Sequence, residues 1–372
     1  MAPINGKDQY QRIAILDQMR GLALLAIFLA NVPGLAQVDT DGQSSANQVV
    51  YDFLSIVLDD SARPLFAFMF GISLLLIYSK LKNKDLRPYS TLVRRLLLLA
   101  FAGAIHGYVV WSGDILLMYA MAGFVLLLFM NLTAKWLLTA ALLFWLGYTV
   151  GIDVMNDYSP YEFSLNGWLK HLLLGSGEPP TGAEYLINEF TSMMRHLGFF
   201  LFGMYAYRKG LLSFIGERRT LMWFLSFVFL AIGLAGKTSL YDDDFLNPLD
   251  AFYPFVLTIG MILCIILLGT SRTFISKAPF PFSAIGKMAF THYLMQSLVF
   301  VSVFHLSGRS IFTGIGIWTE PTYLFALSIG VILFVAQMIF SHFWLQKFYY
   351  GPFEWLWRIG TYGKVVPLKR RI

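Results

Sequence analysis

The sequence predicts an all-α, polytopic transmembrane helix bundle of about ten helices with both termini in the cytoplasm. Three observations carry that prediction. Hydrophobic residues make up 57% of the 372-residue chain and charged residues 13%, with a mean hydropathy of +0.62. A soluble domain, whose surface must be polar, has no room for that balance. Apolar spans recur near 13–38, 62–79, 92–111, 114–131, 135–152, 193–209, 220–236, 251–270, 287–305 and 323–345, most of them close to the ~20 residues that cross a hydrocarbon core. The connectors between these spans alternate between acidic and basic.

That alternation sets direction. With the N-terminus inside, the outer segments 37–61, 112–114, 153–192, 237–250 and 306–322 hold 17 of the 22 acidic residues and three of the 28 basic ones. The inner connector 80–95 has six basic residues against Asp85, the connector 208–219 has four against Glu217, and the segment from Gln346 has six against Glu354. Basic residues inside put both ends in the cytoplasm, which requires an even number of helices. The net charge of +6 therefore reports orientation in a bilayer, and no nucleic-acid partner is expected.

Taken in order, Met1 to Gln11 is polar and the first span carries Asp17 and Arg20 near its start. It is longer than the roughly 7–15-residue core of a cleavable signal and lacks a small-residue cleavage site, so it reads as the first transmembrane helix. The third and fourth spans form a hairpin from Arg94-Arg95 to Ala120, broken at Ser112-Gly113-Asp114. A helix over Arg95–Trp111 is about 25 Å long, which places His106 less than two turns from the far surface, where a buried polar ring needs a partner. The connector 153–192, with Pro160, Pro179-Pro180 and an apolar patch from Trp168 to Leu174, reads as an outer loop able to form a lid or an interfacial helix. Asp242-Asp243-Asp244 lacks the glycine and terminal glutamate of a calcium loop and reads as a solvated turn. The single cysteine, Cys264, allows no internal disulfide or cysteine cluster, and no metal is expected. Residues 1–372 read as one integral-membrane domain.

No P-loop, strand-to-helix GxGxxG, HExxH or GxSxG element occurs, which leaves nucleotide hydrolysis and serine-esterase chemistry without support. The candidates are intramembrane polar residues. Asp17 and Arg20, three apart, can pair on one helix face. Arg20 and Asn31 are eleven apart, which returns to nearly the same face about 16 Å along the axis, and Arg95 and His106 repeat that spacing. Each helix thus carries an arginine near one surface and a hydrogen-bonding side chain near the other, a lining suited to a passage. Set against this, Arg20 and Arg95 can snorkel to headgroups, Asp17 can serve only as the Arg20 counter-ion, and Asn31 can satisfy backbone freed near Pro33. His292, His305 and His342 read as packed or interfacial. His106 stands open between a functional role and structural hydrogen bonding, flanked by Gly103 and Gly107, which permit close helix approach.

The segments LDQMRGLALLAIFLANV, ARPLFAFMFGIS, RRLLLLAFAGAIHGYVVWSGDILLMYAMAG, IGKMAFTHYLMQS and SHFWLQKFYYGPFEWLWRIGTYG together resemble the YeiB-like family of bacterial inner-membrane proteins. The most specific pieces are the hairpin His106–Ala120 and the run Gly351–Arg358. That family is similar to the transmembrane acyltransferases, and the resemblance implies transfer of an acyl group from a cytoplasmic donor such as acyl-CoA to a small-molecule or envelope-glycan acceptor at the outer face. In the O-acetylating enzymes a histidine follows the first-helix arginine by eleven residues; here Asn31 stands there, and residues 32–61 contain no histidine. Either His106 takes over the role of general base, with Asp114 orienting its ring or holding the acceptor and Arg20 or Arg95 meeting donor phosphates, or this branch does no acyl transfer. Two other classes stay open. The polar stripe fits a transporter or flippase of a small anionic or lipid-linked molecule, and the aromatic stretch Phe343–Tyr362 fits either an interfacial anchor or a docking surface of an assembly protein.

Overall fold

A computed structural model describes residues 6–40, 44–151, 169, 182–242, 252–271, 280–316 and 320–370. Among them the chain is all-α: α1 (Gly6–Ala36), α2 (Ser45–Leu58), α3 (Ala62–Lys82), α4 (Pro88–Ile105), α5 (Leu116–Leu126), α6 (Ala134–Leu142), α7 (Ala183–Lys209), α8 (Leu211–Glu217), α9 (Arg219–Asp242), α10 (Phe252–Gly269), α11 (Phe280–Lys287), α12 (Ala289–Phe304), α13 (Ser307–Gly314), α14 (Tyr323–Lys347) and α15 (Pro352–Tyr362). The described residues of these apolar spans are predominantly helical. Six stretches are long and apolar enough to cross a membrane: Ala14–Ala36, Ser45–Lys82, Pro88–Val110, Arg219–Ser239, Phe252–Gly269 and Tyr323–Lys347. Ala289–Phe304 with Gly308–Gly314, bent by 41°, makes a seventh. The apolar stretches Leu116–Phe129 and Ala134–Val150 are shorter, and α7 is diluted by Glu184, Glu189 and Arg195.

Close backbone approach holds the bundle. A Cβ on Gly71 of α3 would overlap the carbonyl of Phe200, and one on Gly203 of α7 would overlap that of Phe68, so the two helices meet main chain to main chain. Gly21 of α1 and Gly286 of α11 make the same reciprocal contact through Phe282 and Asp17. Small residues serve this role in lipid, where apolar burial no longer drives helices together and van der Waals contact must. Above the first crossing, Tyr119 is buried edge-on against Phe66, Phe70 and Phe200 at centroid distances of 5.4, 5.5 and 4.9 Å, and its hydroxyl donates to the Arg63 carbonyl at 2.8 Å. This locks α5 to the start of α3.

Two helices depart from the sequence reading. The connector 37–61 contains α2, 14 residues long and by itself shorter than a full crossing, which opens the apolar stretch Ser45–Lys82. The last ten residues of the expected outer loop 153–192 are helical, since 183–192 form the first turns of α7; two glutamates among them lower the local hydropathy below that of a span, while Glu184 suits the positive end of the helix dipole. The patch Trp168–Leu174, apart from Leu169, lies outside the described residues, as do Asp243 and Asp244. At the other end, the segment after α15 folds back on the end of α14: Phe348 and Lys369 form an antiparallel bridge, and Trp355 Nε1 donates to the Val366 carbonyl at 2.8 Å.

The charge alternation makes the topology testable. A reporter fused after Ile372 is expected to be active in the cytoplasm, and one inserted near Asp243 is expected to be active outside. Activity of both on one side would remove the ten-helix arrangement.

Candidate functional site

The site is built on the turn between α4 and α5. Regular α-helix ends at Ile105, and the next turn widens so that the Trp111 N–H bonds the His106 carbonyl at 2.9 Å, five residues back. Such π-turns shift the register of everything after them and concentrate at functional sites. The chain then turns at Ser112-Gly113 and places Asp114 ahead of α5, where Oδ2 accepts from Leu117 N at 3.1 Å and satisfies one otherwise unpaired donor of the helix start. One carboxylate oxygen is thereby fixed to the backbone.

The other oxygen meets the histidine. His106 Nδ1 lies 2.8 Å from Asp114 Oδ1, a close charge–dipole contact set off the line of a linear hydrogen bond. Tyr293 of α12 closes the group: its hydroxyl donates to Asp114 Oδ1 at 3.2 Å and accepts from Ile115 N at 3.1 Å, and its ring centroid is 5.4 Å from that of His106. All three side chains are buried, His106 to 2% exposure and Asp114 to 3%. With Nδ1 turned to the carboxylate, the tautomer that carries its proton there leaves the Nε2 lone pair free. Nε2 is buried and has no hydrogen-bond partner among the described residues.

A second unpartnered polar atom lies alongside. The Tyr185 hydroxyl of α7 is buried without a partner among the described residues and packs so near Gly107 that any Cβ there would overlap it. Tyr185 stacks edge-on with Tyr108 at 4.8 Å, and Tyr108 donates to the Gly182 carbonyl at 2.8 Å. One turn along α7, Glu189 Oε2 accepts from Met118 N at 3.2 Å, and the charges of Asp114 and Arg63 both act on it. Four helices thus converge on the start of α5. Tyr293, Tyr185, Glu189 and Arg63 are functional candidates that the sequence reading missed. Tyr293 sits beside His292 in a run where the histidine drew attention, yet His292 is occupied by Ser341 Oγ at 2.6 Å.

The remaining expected residues form a separate group. Arg20 Nη1 pairs with Asp17 Oδ1 at 3.0 Å and Nη2 donates to Ser73 Oγ at 3.1 Å. Arg95 lies eleven residues before His106, about 16 Å along the helix axis, and its guanidinium covers the Trp357 ring at 3.6 Å. Asn31 does not join either group: it is half-buried on α1 and its side chain forms no hydrogen bond with a described residue. Its match in spacing to Arg20 has no counterpart in contact. Among the remaining histidines, His305 Nε2 contacts the Leu35 carbonyl at 2.8 Å and His342 Nε2 contacts Gln346 at 3.2 Å. His196 Nδ1 contacts the Ser192 carbonyl at 2.8 Å.

A multi-pass helical membrane protein with a buried His–Asp–Tyr group is the class that fold and site define. Its relatives carry the likeness further. Residues 206–364 match the family described as "Protein of unknown function (DUF418)", a stretch that contains Tyr293 and Arg358 but not His106. The chain is similar to the uncharacterized protein YxaH of Bacillus subtilis (strain 168), 28% identical with 97% of each chain covered. It is also similar to an uncharacterized 39.9 kDa protein in the amylase 3′ region of Bacillus acidopullulyticus, 28% identical over 96% of each. To the uncharacterized protein YeiB of Escherichia coli (strain K12) it is 25% identical, over 94% of this chain and 96% of that one. These matches bear out the likeness to the YeiB-like family.

Proposed function

We propose that this protein is an acyltransferase of the bacterial inner membrane, moving an acyl group from a cytoplasmic thioester such as acyl-CoA to a hydroxyl or amine of an envelope acceptor. His106 acts as general base. Its Nε2 takes the acceptor's proton as the acceptor oxygen or nitrogen bonds the acyl carbon; the carbon–sulfur bond breaks and the thiolate leaves, to be protonated from the imidazolium or from water. Asp114 holds Nδ1 and stabilises the imidazolium formed on the way, and the Tyr185 hydroxyl, beside the same Gly107, receives the acceptor group. A positioned base of this kind is worth roughly 10²–10⁴ in rate. The single observation that supports the reading is a buried ring with neither nitrogen hydrogen-bonded among the described residues, Nδ1 standing 2.8 Å from Asp114 Oδ1 and Nε2 open: a structural histidine at this depth would be expected to spend both nitrogens.

A second reading has its own support. Arg95 and His106 lie about 16 Å apart along the span Pro88–Val110, a spacing that a path for a transported anion would also use. Purified protein in liposomes, given labelled acetyl-CoA and a cell-envelope extract, separates the two. Label in an envelope product supports transfer; a labelled solute that crosses unchanged supports transport and removes the acyltransferase.

A further inference from the structure

Glu189 is a buried carboxyl group without a counter-ion. It is 8% exposed, and among the described residues it has no cation within ion-pair distance and a single hydrogen bond, Oε2 accepting from Met118 N at 3.2 Å. The neighbouring amide, Leu117 N, is taken by Asp114 Oδ2 at 3.1 Å, so consecutive N–H groups of one helical turn hold two buried carboxyl groups. That turn lies directly on α4, where a Cβ on Gly103 would overlap Leu117 N. Tyr185, four residues before Glu189 on the same face of α7, is within reach of the charge of both carboxyls. Asp114, Glu189 and Tyr185 therefore gather beside the ring of His106.

Two ionised carboxylates held so close at this depth repel each other and lose their hydration. Asp114 is compensated by the His106 ring at 2.8 Å and by two donors, Leu117 N and the Tyr293 hydroxyl. Glu189 has one donor, so the proton that relieves the pair falls to it. The charged and titratable groups that face Glu189 among the described residues are Asp114 from the turn before α5, Arg63 from the start of α3 and Tyr185 from its own helix, while α5 presents the Met118 N–H. Burial first and the Asp114 charge second push the Glu189 carboxyl up to about 8, against the pull of the Met118 N–H and of Arg63. With Oε2 spent on Met118 N, the proton is carried by Oε1, which meets no acceptor among the described residues. A neutral carboxylic acid is a donor, and a buried donor is costly to leave unpaired.

We infer that Glu189 is a protonated carboxylic acid whose Oε1–H donates a hydrogen bond to the carbonyl oxygen of the acyl group in transit. The step rests on the transfer reading; the proton on Glu189 does not. As the acceptor bonds the acyl carbon, the carbonyl π pair moves onto the acyl oxygen, which becomes an oxyanion. Its return re-forms the carbonyl and breaks the carbon–sulfur bond. The proton stays on Glu189 throughout, so the balance of atoms is that of the transfer itself. An ionised Glu189 would repel the oxyanion, whereas burial that keeps a carboxylic acid neutral makes it a donor fixed in advance for the charge that develops.

The proton is tested without turnover. Infrared spectra of the full-length wild type and of Glu189→Gln, both in lipid nanodiscs, are compared as pH is raised. The wild type is expected to show a protonated-carboxyl C=O band that Glu189→Gln lacks, and to lose it as pH passes through about 8. Spectra that match in this region at every pH overturn the inference. The donor role is tested with labelled acetyl-CoA and a cell-envelope extract. Glu189→Gln, whose amide donates in place of the acid and whose oxygen still accepts from Met118 N, is expected to stay within a small factor of the wild-type rate at neutral pH and to lose the alkaline fall that the wild type shows. Glu189→Leu is expected to lose roughly 10²–10³ in rate, the worth of one such donor, with the melting temperature as the check on folding. Glu189→Gln as inactive as Glu189→Leu, while its melting temperature matches the wild type, means that the charge of Glu189 is what the site needs, as a base or for a cation, and overturns the donor role. The expected band with no acylated product from the wild type removes the transfer reading, and the donor role with it, while the proton on Glu189 stands.

Discussion

His106→Ala and His106→Gln are each expected to abolish transfer while leaving expression, membrane insertion and melting temperature close to wild type. The expectation follows from how the two ring nitrogens are placed. Nδ1 stands 2.8 Å from Asp114 and Nε2 has no hydrogen-bond partner among the described residues, so the ring adds little to the folded state beyond packing, and only chemistry uses its second nitrogen. Glutamine keeps a donor and an acceptor but is not a base, so it separates the two roles. Asp114→Asn should lower activity as well, because the amide no longer selects the Nδ1–H tautomer. Combined with His106→Ala it should cost little more than the single change, since residues that act as a unit are not additive. Asp114 also caps the start of α5 through Leu117 N, so its asparagine variant, which keeps an acceptor oxygen, is the right probe and alanine is not. The opposite pattern would count against catalysis: a melting temperature lowered by alanine and restored by glutamine with activity intact.

The half of this site that lies on one hairpin is legible in the sequence. His106 and Asp114 are eight residues apart with a Ser-Gly break between them, and a chain that reverses there must bring the second near the first. Arg20 with Asp17 is legible for the same reason, because three-residue spacing on a helix is already a contact. What comes from elsewhere is hidden. Tyr293 reaches Asp114 from 179 positions along the chain, and no local pattern separates it from other membrane tyrosines. Glu189 was concealed by a window that reads its charge as loop, although it opens α7. Asn31 is the converse case, since its spacing from Arg20 says nothing of what the opposite helix presents, and its side chain has no hydrogen bond with a described residue. Arg358 lies in the aromatic stretch Phe343–Tyr362, and nothing in that stretch announces that Trp357 of α15 packs on Arg95 of α4.

Gly203→Ala is expected to destabilise the protein more than any single methyl elsewhere on α7. Alanine in place of glycine within a helix would by propensity stabilise by up to about 1 kcal/mol, so the sign of the result depends on what the new methyl meets. Here it meets the Phe68 carbonyl and the backbone nitrogen of Ile72, main-chain atoms of α3 that can yield only if the helices separate. Overpacking of that kind costs roughly 1–3 kcal/mol even where side chains can adjust, which outweighs the propensity gain. Gly71→Ala presses on the same crossing from the other side, against Phe200. The double variant should therefore fall short of the sum of the two singles, because one separation relieves both clashes. Gly314→Ala, at a position with open space around it, is the matched control and should melt at or slightly above the wild-type temperature. Separation should also lower activity, since α3 begins at the residues that support Tyr119 and α7 carries Tyr185 and Glu189. A Gly203→Ala protein that melts like the wild type would show that α3 and α7 are not in main-chain contact, and would withdraw the packing on which the placement of Tyr185 and Glu189 depends.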